Sequence, residues 1–143
     1  MKIVFYGSGA FAVPSLRELT AAGFEIGFVV TQPDRPAGRG GQSKGTPVKE
    51  AARELGLPVL QFESIRDSAM AEKLAEAAPD LAVIIAYGQK VPPELLHVPR
   101  HGFINAHASL LPKYRGAAPV PHAIWKGEAE TGVTIFRLEE QWD

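Results

Sequence analysis

Residues 81–86 read Leu-Ala-Val-Ile-Ile-Ala and contain no polar side chain, and this stretch constrains the chain more than any other. A strand of that pattern is buried on both faces, and such strands belong to parallel sheets covered by helices. Extended to Tyr87 it remains far short of the roughly 20 apolar residues that span a bilayer.

The neighbouring segments supply the rest of such a sheet. Residues 3–6 are short, β-branched or aromatic, and stopped by Gly7-Ser8-Gly9, which predicts a buried strand followed by a helix with Pro14 in its first turn. Leu16, Leu19 and Ala22 keep helical spacing until Gly23, and residues 26–30 give a second strand. Thr46 before Pro47 predicts an N-cap and first helical residue, with Gly56 closing that helix and residues 57–60 forming a short strand. Ser64 with Asp67 three residues on resembles a helix start, and Met70 and Leu74 lie on the apolar stripe that runs to Pro79. Strands over residues 102–106 and 133–138, and a helix over residues 119–125 ending at Gly127, complete the order. Repeated β-α-β order predicts a doubly wound α/β domain with right-handed crossovers, whose ligands sit beyond the carboxyl ends of the strands.

Composition narrows the function classes. A chain of 143 residues favours one domain. Fifteen Lys and Arg against 16 Asp and Glu leave a net charge of −1, which excludes a strongly basic nucleic-acid binder on totals but leaves local patches open. The absence of cysteine removes disulfides, thiolate metal sites and a cysteine nucleophile. The few apolar residues before Gly7 are too short for a signal-peptide core. The expectation is a cytoplasmic protein that makes no use of a membrane.

Two familiar motifs are weak. The run from Gly7 to Ala12 fits G-x-G-x-x-A between a strand and a helix, but the second strand ends at Val30-Thr31-Gln32 without the acidic residue that holds a ribose. A tight turn with close helix packing needs only the glycines and is the favoured reading. His97 and His101 have i,i+4 spacing, but Pro99 between them breaks the helix that would align them, so no metal is expected.

Residues 32–45 break the rhythm. This loop holds Pro33, Pro36, Gly38, Gly40, Gly41 and Gly45, and does not suit a helix or a strand. It carries Arg35, Arg39 and Lys44 against Asp34 alone. A solvated loop fits that composition; so does an arm that meets phosphates, since glycine permits close approach and arginine forks suit phosphate oxygens.

The chemistry-bearing stretch runs from Phe103 to Pro112. Period two places Asn105 and His107 on one face at the carboxyl end of a strand, with Ile104 and Ala106 on the other. A carboxamide donor beside an imidazole suits a reaction at a carbonyl, one group meeting the oxyanion while the other moves a proton. The residues alone equally permit a capping asparagine and a satisfied turn histidine.

Asn105-Ala106-His107-Ala108-Ser109-Leu110-Leu111-Pro112-Lys113-Tyr114-Arg115-Gly116-Ala117-Ala118-Pro119 resembles the signature of the folate-dependent formyltransferases. Thr31-Gln32-Pro33-Asp34-Arg35-Pro36-Ala37-Gly38-Arg39-Gly40 is similar to the loop inserted in those members that act on methionyl initiator tRNA. Ala86-Tyr87-Gly88 and Thr131-Gly132-Val133-Thr134-Ile135 match as well, so the resemblance covers the chain.

The resemblance implies a Rossmann-like, doubly wound, mainly parallel sheet. It implies transfer of a formyl group from 10-formyltetrahydrofolate to the amino group of methionyl initiator tRNA, without a metal. The family's asparagine, histidine and aspartate fall on Asn105, His107 and Asp143. Its folate pocket falls on Gly88, Gln89, Lys90 and Val91, on Ser109, Leu110, Leu111 and Pro112, and on Glu139 and Glu140 in the loop before the aspartate. Arg35, Arg39 and Lys44 are expected to meet tRNA. Residues 1–143 then correspond to an N-terminal catalytic domain, incomplete at its C-terminal end and without the family's C-terminal β-barrel. The expectations are a monomer and little or no transfer activity from this stretch alone. Two alternatives stand beside this: a folate formyltransferase acting on a small amine, and a non-catalytic nucleotide-binding Rossmann module.

Overall fold

The computed structural model describes residues 1–36 and 42–140. Strand β1 (Lys2–Gly7) leads through a 3-10 turn (Ala10–Ala12) into α1 (Val13–Ala21), and β2 (Glu25–Thr31) follows. A two-residue ladder, β3 (Arg35–Pro36) against β4 (Ser43–Lys44), precedes α2 (Pro47–Glu54) and β5 (Val59–Gln61). Then come α3 (Ser68–Ala77), β6 (Leu81–Ile85), α4 (Pro93–Leu96), β7 (Phe103–His107), α5 (Pro119–Trp125) and β8 (Thr134–Arg137). The main sheet has the order β5-β2-β1-β6-β7-β8. All its pairings are parallel except β7 with β8, which is antiparallel. The doubly wound α/β class is therefore as the sequence predicts.

Strand alternation sorts the core into two layers. Ile3, Phe5, Val29, Val83 and Ile85 face Leu16 of α1 and Val48 and Ala52 of α2. Val4, Tyr6, Val30, Ala82 and Ile84 face Met70 and Leu74 of α3 and Leu95 and Leu96 of α4. Strand β6 lies between β1 and β7 and packs into both layers, which is why its sequence has no polar position. Each fully buried aliphatic side chain there contributes roughly 1.5–3 kcal/mol relative to exposure.

Two local expectations change, and one short helix is added. Helix α3 starts at Ser68, four residues after Ser64, because the Asp67 carboxylate accepts from the Ala69 N–H at 2.8 Å and is the N-cap. Ser64 closes the preceding turn instead, its hydroxyl accepting from the Arg66 N–H at 3.1 Å. The loop over residues 32–45 does contain strand: Arg35 pairs with Lys44 and Pro36 with Ser43. The base of that ladder is pinned by Asp34, whose carboxylate accepts from Lys49 Nζ at 2.6 Å and from Gln61 Nε2 at 2.8 Å. Helix α4, only four residues long, is too short for a helical period to show. The predicted Thr46 cap is present, its hydroxyl accepting from the Lys49 N–H at 3.1 Å.

Candidate functional site

The strand order reverses between β1 and β6: one half of the winding runs outward through β2 and β5, the other through β7 and β8. Open α/β sheets form their ligand crevice at that point, beyond the carboxyl ends of the strands. A cavity of about 700 Å³ lies there. Phe11 comes to it from the segment after β1, Ala86, Tyr87 and Gly88 from the turn after β6, and Asn105 and His107 from β7. The far wall is the segment from Gly116 to Pro121, which leads into α5.

The floor is built by close approach. A Cβ on Gly7 would sit 2.9 Å from Phe5 Cε1, 3.0 Å from Ala12 Cβ and 3.1 Å from the Ile85 carbonyl oxygen. The N–H groups of Ser8 and Gly9 both donate to the Ala86 carbonyl at 3.1 Å. These amides, which would cradle a pyrophosphate in a dinucleotide site, are thus used to join β1 to β6. Ala86 itself has φ 46° and Gly88 φ 92°, so the chain turns sharply as it leaves β6. The Ser8 hydroxyl donates to the Tyr87 carbonyl at 3.3 Å, and the Gln32 side-chain amide donates to the same oxygen at 3.3 Å. The Tyr87 ring stands edge-on to Tyr6, and burial pushes its phenol up to about 12. That hydroxyl has no hydrogen-bond partner among the described residues.

Asn105 and His107 sit on one face of β7, as period two requires, roughly 7 Å apart along the strand. His107 is 9% exposed, while Asn105 is half-buried. His107 Nε2 lies 2.7 Å from the Tyr114 carbonyl oxygen. A carbonyl can only accept, so Nε2 carries the hydrogen and Nδ1 is the nitrogen left for chemistry. A carboxamide and an imidazole on one wall of a cavity can hold a developing oxyanion and move a proton.

The structure gathers some of the expected site residues and separates others. Gly88, Gln89 and Lys90 line the cavity with Asn105 and His107. Val91 is 1% exposed in the core layer of Tyr6 and Phe103, so its part is to support the turn from below. Ser109 is fully buried, and its hydroxyl is committed to the Lys113 carbonyl at 2.6 Å. Leu110 and Pro112 line a separate hollow of about 460 Å³ beside Glu128, because the chain turns away from the main cavity after Ala108. Leu111 is half-buried and donates its N–H to the Thr134 hydroxyl at 3.1 Å. Glu139 and Glu140 are exposed beyond β8, off the cavity wall. Arg35 and Lys44 stand opposite each other on the β3–β4 ladder, both exposed, with Arg35 donating to Glu63 at 2.9 Å. Arg39 and Asp143 lie outside the described residues. Among the described residues no three His, Asp or Glu side chains come together to hold a metal.

Sequence reading gave no role to the far wall or to the turn that holds His107. The available signal there was the small-residue run Gly116-Ala117-Ala118, in which Gly116 has φ 81° and Ala118 φ 56°. Tyr114 (φ 54°) carries no such mark in its side chain.

The sheet order and the reversal-point cavity define a doubly wound α/β protein in which a carboxamide and an imidazole end a strand of the second half and line the cavity. The formyl transferase family model matches residues 1–143, and the chain belongs to that family. It is 54% identical over 143 residues to the methionyl-tRNA formyltransferase of Halalkalibacterium halodurans, covering all of this chain and 45% of that protein. It is 48% identical over 143 residues to the methionyl-tRNA formyltransferase of Pelotomaculum thermopropionicum, again over its whole length and 46% of the relative. The chain thus spans a little under half the length of these relatives. Glycinamide ribonucleotide transformylase 1 from Geobacillus kaustophilus superimposes with a TM-score of 0.77 over 99% of this chain and 76% of that one, at 24% identity, which shows the shared fold.

Proposed function

We propose that this chain is the formyl-transferring part of a protein that moves a formyl group from 10-formyltetrahydrofolate to the amino group of methionyl initiator tRNA, in the cytoplasm. The observation that carries this reading is the pairing of Asn105 and His107 on one wall of the reversal-point cavity. Relatives about half identical to the chain, both methionyl-tRNA formyltransferases, suggest the substrates. A volume of about 700 Å³ is within the range of roughly 300–1,000 Å³ that small-molecule sites occupy.

In this reading the folate donor lies along Gly88, Gln89 and Lys90, presenting its formyl carbon to β7. The amine nitrogen attacks that carbon, and the carbonyl oxygen becomes an oxyanion met by the Asn105 amide and by Nδ1–H of protonated His107. The bond from carbon to folate N10 then breaks as N10 takes up a proton, and the attacking nitrogen gives one up. Asp143 relays protons through water to Nδ1 of His107, the nitrogen that the Tyr114 carbonyl leaves open.

Arg35, Arg39 and Lys44 meet the tRNA backbone. The exposed Arg35–Glu63 pair is of a kind worth little in water, so a phosphate replaces it readily. The test uses Asn105→Ala in a protein of the relatives' full length. Turnover should fall roughly 10²- to 10³-fold, the usual effect of losing one oxyanion donor, while folate affinity stays within a few-fold. Full turnover in that variant refutes the reading.

A further inference from the structure

We propose that Tyr114 and Glu128 form a clamp that positions His107, by holding the carbonyl that fixes which imidazole nitrogen carries the hydrogen. The contribution to catalysis rests on the formyl-transfer reading; the clamp does not. The turn between β7 and α5 offers His107 an acceptor, the Tyr114 carbonyl, 2.7 Å from Nε2. Where that oxygen points depends on the Tyr114 backbone, which occupies the left-handed region at φ 54°. A non-glycine residue stays there only when its surroundings hold it.

The surroundings here are specific. The Tyr114 hydroxyl donates to Glu128 Oε1 at 2.7 Å, and Lys113 Nζ donates to both oxygens of the same carboxylate at 3.1 Å. Glu128 is in turn fixed just past α5, its N–H donating to the Ala123 carbonyl at 3.0 Å. The Tyr114 ring lies parallel to that of His122, with centroids 6.4 Å apart. The far side of the turn is held separately, Thr134 donating to the Ser109 carbonyl at 2.7 Å. Both residues of the clamp lie outside the main cavity, lining the smaller hollow, so they act through the His107 contact and not on a substrate there.

With Nε2 committed to Tyr114, neutral His107 presents a lone pair at Nδ1 and protonated His107 presents a second donor at the same position. A carboxylate can bond Nδ1 only in the protonated state, since it has no hydrogen to give. The clamp therefore assigns all of the exchangeable chemistry of His107 to one nitrogen.

The test reads the imidazole directly, without turnover. Residues 1–143 are labelled with ¹⁵N-histidine, and solvent exchange of the His107 Nε2–H is measured, with His107→Asn identifying the resonance. Tyr114→Phe, which keeps the ring, and Glu128→Ala should each speed exchange roughly tenfold or more, since protection reports how often the bond opens. Glu128→Gln, whose amide oxygen still accepts from the tyrosine hydroxyl, should keep the slow exchange. Parent-like exchange in folded Tyr114→Phe and Glu128→Ala overturns the clamp and leaves the role of His107 in formyl transfer standing. A slow Nε2–H in a protein whose Asn105→Ala variant retains full turnover does the reverse.

Discussion

Replacing Gly7 by alanine tests whether the glycine turn after β1 exists for room or for conformation. The added methyl would lie 2.9 Å from Phe5 Cε1, 3.0 Å from Ala12 Cβ and 3.1 Å from the Ile85 carbonyl oxygen. Carbon contacts are optimal at roughly 3.5–4.0 Å, so the two with Phe5 and Ala12 are too close by about half an ångström or more, and the one with the Ile85 oxygen is tight as well. The Phe5 ring edge can tilt, but Phe5 is fully buried, and the other two contacts involve the backbone of β6 and the turn before α1. Overpacking of this kind costs about 1–3 kcal/mol. At the specific unfolding entropy of globular proteins, that lowers Tm by roughly 3–10 °C for a chain of this size. Gly9 is the control, because its Cβ would meet only Ala86, at 3.3 Å, and its φ of −73° suits any residue. Gly9→Ala should therefore stay within about 0.5 kcal/mol of the parent. The assay is calorimetry together with urea unfolding at constant m-value. Equal Tm in parent and Gly7→Ala, or a larger loss at Gly9 than at Gly7, refutes the packing argument.

Thr134→Val removes a hydroxyl that donates to the Ser109 carbonyl and accepts from the Leu111 N–H, and should cost about 1–3 kcal/mol in urea unfolding. Thr46→Ala removes the α2 cap and should cost about 0.5–2 kcal/mol by the same measurement. Asp34, Asp80 and Glu128 all titrate below the usual carboxylate range: Lys49 and then Gln61 bond Asp34, the Lys2 N–H bonds Asp80, and Tyr114 and then Lys113 bond Glu128. Because their folded values are depressed, the stability they give is complete above the unfolded carboxylate range and is lost as pH falls through the folded values. The urea midpoint should drop on acidification across that window, and Asp80→Asn should flatten part of the drop; an identical pH profile would count against the bond to Lys2. Lys44→Ala should lower the slope of log affinity for charged tRNA against log salt by roughly 0.7–0.9, the contribution of one phosphate contact, and an unchanged slope takes the ladder out of the interface.

Most of the sheet was legible because its strands obey one physical rule at a time. The polar-free stretch at residues 81–86 announces burial on both faces, and β6 is indeed covered on both. Thr46 and Pro47 announce a helix start through capping chemistry that is local to the sequence. Asn105 and His107 were placed on one face by period two alone. What escaped depends on distant partners. The pairing of Arg35 with Lys44 depends on Asp34 finding Lys49 and Gln61, neither of which is adjacent in sequence. The use of Ser109 within its own turn, and of the Tyr114 carbonyl by His107, follows from backbone angles that a tyrosine does not advertise. The antiparallel entry of β8 is similarly silent in a run such as Thr-Ile-Phe-Arg, which reads alike in either direction.

The seam between β1 and β6 divides the sheet into two flanks. On one flank lie β2, β5 and the cationic ladder; on the other lie β7 with its amide and imidazole, and β8. On the function proposed above, recognition of a long polymer and handling of a single carbon would be housed in separate territories, so the first could lengthen, shorten or change its charge while the strand that carries the amide and imidazole stays in place.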